Sequence, residues 1–298
     1  MGICMPVVDT ILGLWKEGHF PEHGKVLELG SQQLLHTLND FERAVTSYGV
    51  EGYRREDFEP WEWETRGKCV YADKFYKLLG LDEYMCFDIN GENNAIAHDL
   101  NFPFEDRSHW NKYDLVTDFG CAEHIFNVSE PFRTMHNVCR PGGVILNHQA
   151  MLNNTNGYYI FDPAFYEDIA AANGYEILFS GITVHGKCAM KDTGRFSWIL
   201  PMSHELIETL EWTKIESTAL LYAFKKKNDA EFVIPYQEKL MCHKYQNLGY
   251  KIACLTNYKR PTRTYVPVIE RNDDISSREF KRVCRAYFKK KLPFLFKR

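Results

Sequence analysis

Four acidic residues stand where short apolar runs end: Glu28 after Val26-Leu27, Asp88 after Tyr84 to Phe87, Asp99 after Ala95 to Ala97, and Asp118 inside Tyr113 to Phe119. An ionised carboxylate only accepts hydrogen bonds. A row of them at neighbouring strand ends therefore suits a ligand that offers hydroxyl and amine donors. The acid closing the second run is placed to accept both hydroxyls of a ribose. Gly30, two residues past Glu28, lets the backbone approach such a ligand closely. Neither a GxGxxG after the first run nor a GxxxxGK[ST] is present, which disfavours dinucleotides and nucleoside triphosphates. Cys121, Glu123, His124 and His148 are metal-ligating types, but their spacing matches no closed site, and no metal is expected.

The elements that must hold these residues are legible from periodicity. Met5 to Trp15 has apolar residues at helical spacing and predicts a leading helix. Val26 to Gly30 predicts a buried strand running into a tight turn, with a helix from about Gln32 to Tyr48 behind it. Gly49 to Arg66 is rich in Glu, Arg and Trp without clear periodicity and is expected to be a lid-like insertion, extending to about residue 71. Ala72 to Leu79 predicts a helix, and Tyr84 to Asp88 a second strand. A third is expected ahead of Asp99, and a fourth over Tyr113 to Phe119. Ser129 is a suitable N-cap for a helix whose buried face is Phe132, Met135, His136 and Cys139. Arg140-Pro141-Gly142-Gly143 stops that helix before a strand at Val144 to Leu146. Tyr175 to Val184 and Thr218 to Phe224 can complete the sheet. This alternation implies a parallel α/β sheet with ligands at the carboxyl ends of the strands.

Composition agrees with a globular chain: 298 residues, 45% hydrophobic, with 36 basic and 40 acidic side chains. No apolar run reaches the roughly 20 residues that span a bilayer, and no secretory leader is recognised at the start. Nine scattered cysteines read as free thiols in a reducing cytoplasm. Basic charge gathers at the end, with ten Lys or Arg against three acids from Arg271 to Arg298. That tail reads as a helix docked by its apolar side; weak contact with a membrane surface is the alternative. An acidic body disfavours nucleic acid as partner. A domain over 1–230 with a C-terminal extension over 231–298 is expected, and a homodimer is compatible with the sequence.

Taken in order, these segments resemble the class I S-adenosylmethionine-dependent methyltransferases. VLELGS (Val26 to Ser31) looks like their first motif, CFDIN (Cys86 to Asn90) the second and HDLN (His98 to Asn101) the third. YDLVTDFGCAEHIFN (Tyr113 to Asn127) resembles the fourth, and RPGGVIL (Arg140 to Leu146) the turn before the fifth strand. The resemblance is closest to the type 11 branch, in which a Glu-His pair follows the fourth strand, and covers about residues 24 to 185. Two departures stand out: Ser31-Gln32-Gln33 replaces the later glycines of the first motif, and the distance from Glu28 to Asp88 is long enough to hold the insertion. The resemblance implies a Rossmann-like methyltransferase fold, with a mostly parallel seven-stranded sheet and helices on both faces. The implied cofactor is S-adenosyl-L-methionine, left as S-adenosyl-L-homocysteine. Glu28 and Gly30 would line its methionine end, Asp88 its ribose, Asp99 and Leu100 its adenine. Asp118, Phe119 and Gly120 would pass under the sulfonium, and Ser31 and Ile89 complete the implied contacts.

Methyl transfer from a sulfonium mainly needs nucleophile and methyl in line. A hydroxyl acceptor gains from a general base, for which histidine suits neutral pH. His148, expected just past the fifth strand, is the first candidate; His124 is the second, with a cofactor-side role implied by the Glu-His pair; His185 is the third. Substrate selection falls to Asn153 to Tyr166, where Asn153 and Asn154 could read hydroxyls and Tyr158 and Tyr159 stack on a ring or sugar face. O-methylation of a small molecule or glycan is expected. N-methylation of a small amine, or a catalytically silent cofactor-binding partner protein, are the alternatives.

Overall fold

A computed structural model describes residues 2–34, 38–58, 61–63, 67–91, 93, 95–152, 157–186, 197–202 and 215–236. The expected contacts of Asn153 and Asn154 and the basic tail lie outside them, as does the side chain of His185. In chain order the elements are β1 (Gly2–Ile3), α1 (Met5–Lys16), β2 (Lys25–Leu29), β3 (Gln33–Leu34), α2 (Leu38–Tyr48), β4 (Trp61–Trp63), β5 (Gly67–Tyr71), α3 (Asp73–Leu78) and β6 (Glu83–Phe87). They continue with β7 (Tyr113–Phe119), α4 (Ser129–Val138), β8 (Cys139–Leu152), α5 (Pro163–Asn173), β9 (Glu176–Gly186), β10 (Ser197–Pro201) and β11 (Ile215–Lys225).

Seven strands form the central sheet in the order β10-β9-β11-β8-β7-β2-β6. The pairs β6-β2, β2-β7 and β7-β8 are parallel, while β11 runs antiparallel to both β8 and β9, and β10 antiparallel to β9. Five strands thus share one direction and two oppose it. This is a mostly parallel seven-stranded α/β sheet, as the sequence implied. Every residue of β7 is buried, as a central strand covered on both faces requires. One core lies between the sheet and α1, α2 and α3, through Val8, Ile11, Phe41, Phe75 and Leu115. The other lies under α4 and α5, through Leu27, Val116, Phe132, Tyr166 and Tyr222.

Several expectations are corrected. Gln33–Leu34 is a short strand and α2 starts only at Leu38, because β3 is held between β1 and β5 in a second, four-stranded sheet, order β1-β3-β5-β4. Part of the expected insertion is therefore built into that sheet, and its Phe58 is buried against Phe41 at a ring separation of 4.8 Å. The segment before Asp99 makes one isolated bridge, Phe87 to Ile96, rather than a third strand. Ser129 is the first residue of α4, not its cap, and its hydroxyl is bonded to Asn127 Oδ1 at 3.0 Å. The described chain also packs past residue 230: Val233 N–H donates to Asn173 Oδ1 (2.8 Å), and Asn173 Nδ2 donates back to Val233 O (3.0 Å).

Candidate active site

The loops that leave β2, β6, β7 and β8 all emerge at one edge of the sheet. Gly30, at φ 72°, turns the chain immediately after β2, a left-handed conformation that glycine adopts without strain. Its N–H donates to Phe87 O at 2.7 Å, which ties the loop to the end of β6. Asp88 strengthens that tie. Its Oδ2 accepts from Ser31 N–H (3.0 Å) and its Oδ1 from Asn90 N–H (3.3 Å). Asn93 Nδ2 reaches Ser31 Oγ at 3.2 Å. Asp88 is half-buried, and a carboxylate with one backbone donor on each oxygen still has lone pairs for two hydroxyls. Ile89, beside it, is largely exposed.

Asp99 Oδ1 accepts from both Asn101 N–H (2.9 Å) and Asn101 Nδ2 (2.8 Å), and these bonds hold its carboxyl below the usual range. Asp99 is therefore an ionised acceptor at neutral pH. Leu100 is buried in the core under α4 and α5.

The two deepest carboxylates act on the chain itself. Glu28 is fully buried, with Oε1 accepting from Tyr76 (2.8 Å) and Oε2 from Tyr84 (2.7 Å) and Gln32 N–H (2.9 Å). Burial pushes its carboxyl up to about 7 against the pull of those donors. Both oxygens are engaged in holding the loop after β2. Asp118 is likewise fully buried and raised to about 7 by burial, and its carboxylate accepts from the N–H groups of Cys121 (2.9 Å) and Ala122 (3.3 Å). It shapes the turn that carries Gly120, at φ 79° and half-exposed. Phe119 packs in the core with α1 to α3, so only its backbone is left to face a ligand.

His148 lies within β8, four residues before its end at Leu152, and not past it as the sequence suggested. It pairs with Phe119 and Leu221, and its Nε2 is 2.8 Å from Thr183 Oγ1 on β9. Thr183 Oγ1 in turn donates to Ala219 O at 3.3 Å. His124 ends the 3-10 turn Ala122–His124, directly after β7, and a third of its side chain is exposed. Its Nε2 is 3.7 Å from Glu123 Oε1.

Glu123, expected only as half of the Glu-His pair, clasps the edge together. Its Oε2 accepts from Ala150 N–H (2.7 Å), and its carbonyl accepts from Tyr158 N–H (2.7 Å) and Tyr159 N–H (3.2 Å). Gly157 permits this contact, since a Cβ there would stand 2.7 Å from Glu123 O. The clasp brings Tyr158 and Tyr159 beside the His124 turn; Tyr159 Oη donates to Phe126 O at 2.7 Å. The recurrence of a Glu-His pair is the available signal; the partners of Glu123 lie 27, 35 and 36 residues away and leave no local trace.

At the opposite edge lies a cavity of about 640 Å³ lined by Phe104, Arg107, Trp110, Arg133, Lys226 and Phe232 among others. None of the strand-end carboxylates lines it, so it is separate from the chemistry above. Among the described residues no group of three or more His, Cys, Asp and Glu could hold a metal ion, and no helix is long and apolar enough to cross a membrane.

No family model matches the chain, and no curated protein matches it. Among solved structures, it is similar to a SAM-dependent methyltransferase from Archaeoglobus fulgidus: 13% identity, 74% of this chain and 94% of that one, TM-score 0.38. It is also similar to the CurJ carbon methyltransferase (10% identity, 74% and 54% covered, TM-score 0.36). A third is the trans-methyltransferase CalH in complex with SAH (12% identity, 48% and 36% covered, TM-score 0.27). Likeness at these levels assigns no activity to this chain, which must be argued from its own residues.

Proposed function

We propose that this chain transfers the methyl group of S-adenosyl-L-methionine to a hydroxyl of a small molecule or glycan. The observation that carries the reading is Asp88: a half-buried carboxylate that joins the loop after β2 to the end of β6 and retains acceptor capacity for a ribose. Asp99, held ionised by Asn101, suits the adenine amine. Gly30 and Gly120 bring backbone close on either side of the strand ends. The cofactor, when bound, supplies an activated methyl carbon. The chain's part is to align the acceptor, exclude water and remove the hydroxyl proton.

For that proton, His124 is favoured over His148. It is on the loop at the mouth of the edge, beside the Glu123 carboxylate that can stabilise an imidazolium, whereas His148 is set within the sheet and directed at Thr183. Glu28, Asp118 and Glu123 fix the three loops and keep the geometry from drifting.

Calorimetry with S-adenosyl-L-homocysteine tests the reading. The full chain should bind it, and Asp88→Ala should weaken binding by about 1.5–3 kcal/mol, the range for hydrogen bonds to a charged group. Failure of the full chain to bind overturns the proposal, and equal affinity in the variant moves the ribose elsewhere.

A further inference from the structure

Three buried polar atoms have no hydrogen-bond partner among the described residues and belong to two facing elements: Asn147 Oδ1 and Nδ2 on β8, and Tyr166 Oη on α5. Both side chains are 0% exposed. A buried amide or hydroxyl that bonds to nothing has lost water without compensation, and native interiors rarely leave one so. Here an amide is unanswered at both of its ends.

The strand pattern brings these groups to one face. Side chains alternate along a strand. Ile145 packs in the core under α4 and α5 and Leu146 in the other core, so Asn147 faces α4 and α5. It stands in register with Asp118 on β7 and with Tyr222 on β11. Val116, two residues before Asp118, and Tyr222 belong to that same core. Asp118, Asn147 and Tyr222 therefore form a buried row across three strands. Tyr166 lies over this row, its ring stacked on Tyr222 with centroids 4.7 Å apart and planes 11° from parallel.

The chemistry of the groups selects what they can hold. Asn147 offers N–H donors and a carbonyl acceptor, and a phenol can do either. Burial first, and then the neighbouring Asp118, Tyr222 and Glu123, push the Tyr166 phenol well above its ordinary range, so it stays neutral. An anion would be repelled by the carboxylates of Asp118 and Glu123. A cation would give up its hydration for neutral oxygens, because those carboxylates already accept from the N–H groups of Cys121, Ala122 and Ala150. A water molecule matches the set: it donates twice, accepts twice and needs two to four polar partners.

From these three atoms on one buried face, we infer that Asn147 and Tyr166 hold an internal water that bonds α5 to β8. It donates to Asn147 Oδ1, accepts from Asn147 Nδ2 or Tyr166 Oη, and lies beneath the turn that Asp118 shapes. The inference does not depend on the methyl-transfer reading.

Oxygen-17 magnetic relaxation dispersion on the full chain tests it, because it detects waters held longer than the protein takes to tumble and ignores exchanging hydroxyls. A chain of this length holds on the order of ten internal waters, so the difference between variants is read. Asn147→Leu, an apolar replacement of similar size, should lower the dispersion amplitude by the equivalent of one water or more. Tyr166→Phe keeps the stacked ring; it should lower the denaturation midpoint of the parent chain but not that of Asn147→Leu, since both side chains anchor one molecule. An unchanged amplitude in Asn147→Leu overturns the inference, because a direct bond between Asn147 and Tyr166 would couple the two without a water. A raised midpoint in Asn147→Leu also overturns it, as the mark of a dry, unanswered amide removed. If Asn147→Leu does not fold, the water-to-amide Overhauser effect at Asn147 Nδ2 decides, measured in Tyr166→Phe so that this phenol cannot relay it. A cross-peak with the sign of a bound molecule is expected, and its absence overturns the inference.

Discussion

Lys226, at the amino edge of the central sheet, is buried with its three N–H donors placed on Asn111 Oδ1 (2.8 Å), His136 O (2.7 Å) and Cys139 O (2.8 Å), whereas the stretches 30–37, 88–104 and 119–132, which follow β2, β6 and β7, contain no Lys or Arg. Nearby, Arg140 pairs with Asp114, Lys25 with Glu83 and Lys227 with Glu176. His136 is fixed between Tyr175 Oη (2.6 Å) and Ala230 O (2.7 Å), and burial lowers it to about 4, so it stays neutral. At the carboxyl edge the buried carboxylates of Glu28, Asp118 and Glu123 accept from backbone amides, tyrosines and a threonine, and Ile89, Phe126 and Tyr158 stand exposed. One edge ties its charges into pairs beside the cavity that Lys226 lines. The other holds its loops through acids and presents acceptors and rings outward, as binding a donor-rich, partly aromatic ligand requires.

The largest effect should come from the carboxyl edge. His124→Ala should lower turnover about 10²- to 10⁴-fold, the range for a lost general base, with affinity for S-adenosyl-L-homocysteine nearly unchanged. Steady-state rates beside calorimetry give both numbers. Loss of turnover only in His148→Ala would return the base to β8 and break the assignment of chemistry to the loop.

Next in size is the amino edge. Lys226→Met removes the donor from three acceptors and should cost about 3 kcal/mol of stability, read as a fall in the denaturation midpoint. Cofactor affinity below the transition should be retained. If affinity falls with stability, the two edges are coupled and the contrast between them is only one of composition.

The third prediction concerns pH. The folded carboxyl of Asp118 is raised to about 7 from an ordinary 3.8. Between those values the folded state holds a proton that the unfolded state has released. Stability therefore falls as pH rises from about 4 to 7 and is flat above. Asp118→Asn keeps an acceptor for the Cys121 N–H and removes the ionisation, so it should flatten that fall by on the order of 2 kcal/mol. Denaturation at pH 5 and pH 8 decides it, and an unchanged slope would assign the effect to Glu28 or Asp9, which burial raises similarly.

Arg140→Ala should do least. Its pair with Asp114 is partly exposed, and such pairs contribute about 0.2–1 kcal/mol. The loss should shrink further in high salt. A larger, salt-independent loss would mean that the pair belongs to the buried lattice around Lys226.

What was legible in the sequence follows from how local each signal is. β2 and β7 could be read because strands buried on both faces are continuous apolar runs, and the turn at Gly30 because a glycine followed an acid there. α2 was drawn too early because Leu34, Leu35 and Leu38 imitate helical spacing, while the two-residue strand β3 is created by its neighbours β1 and β5. Glu28 was recognised, but its engagement by Tyr76 and Tyr84 joins residues 48 and 56 positions apart and could not be. The loop of Phe126 is held by Tyr159 and Asn101, 33 and 26 positions from their partners, which also leaves no local trace.

The position of β11 also governs when the sheet can close during synthesis. It is the last strand of the seven in sequence and yet lies between β8 and β9, pairing with both along most of its length. Until residue 225 has emerged, those two strands present unpaired edges in a gap one strand wide. Exposed edges of that kind invite pairing with other chains, and a pairing between segments so far apart in sequence is slow to form. The nascent chain must therefore carry its two longest strands through translation without their shared neighbour, so its yield depends on what shields that gap before the final insertion.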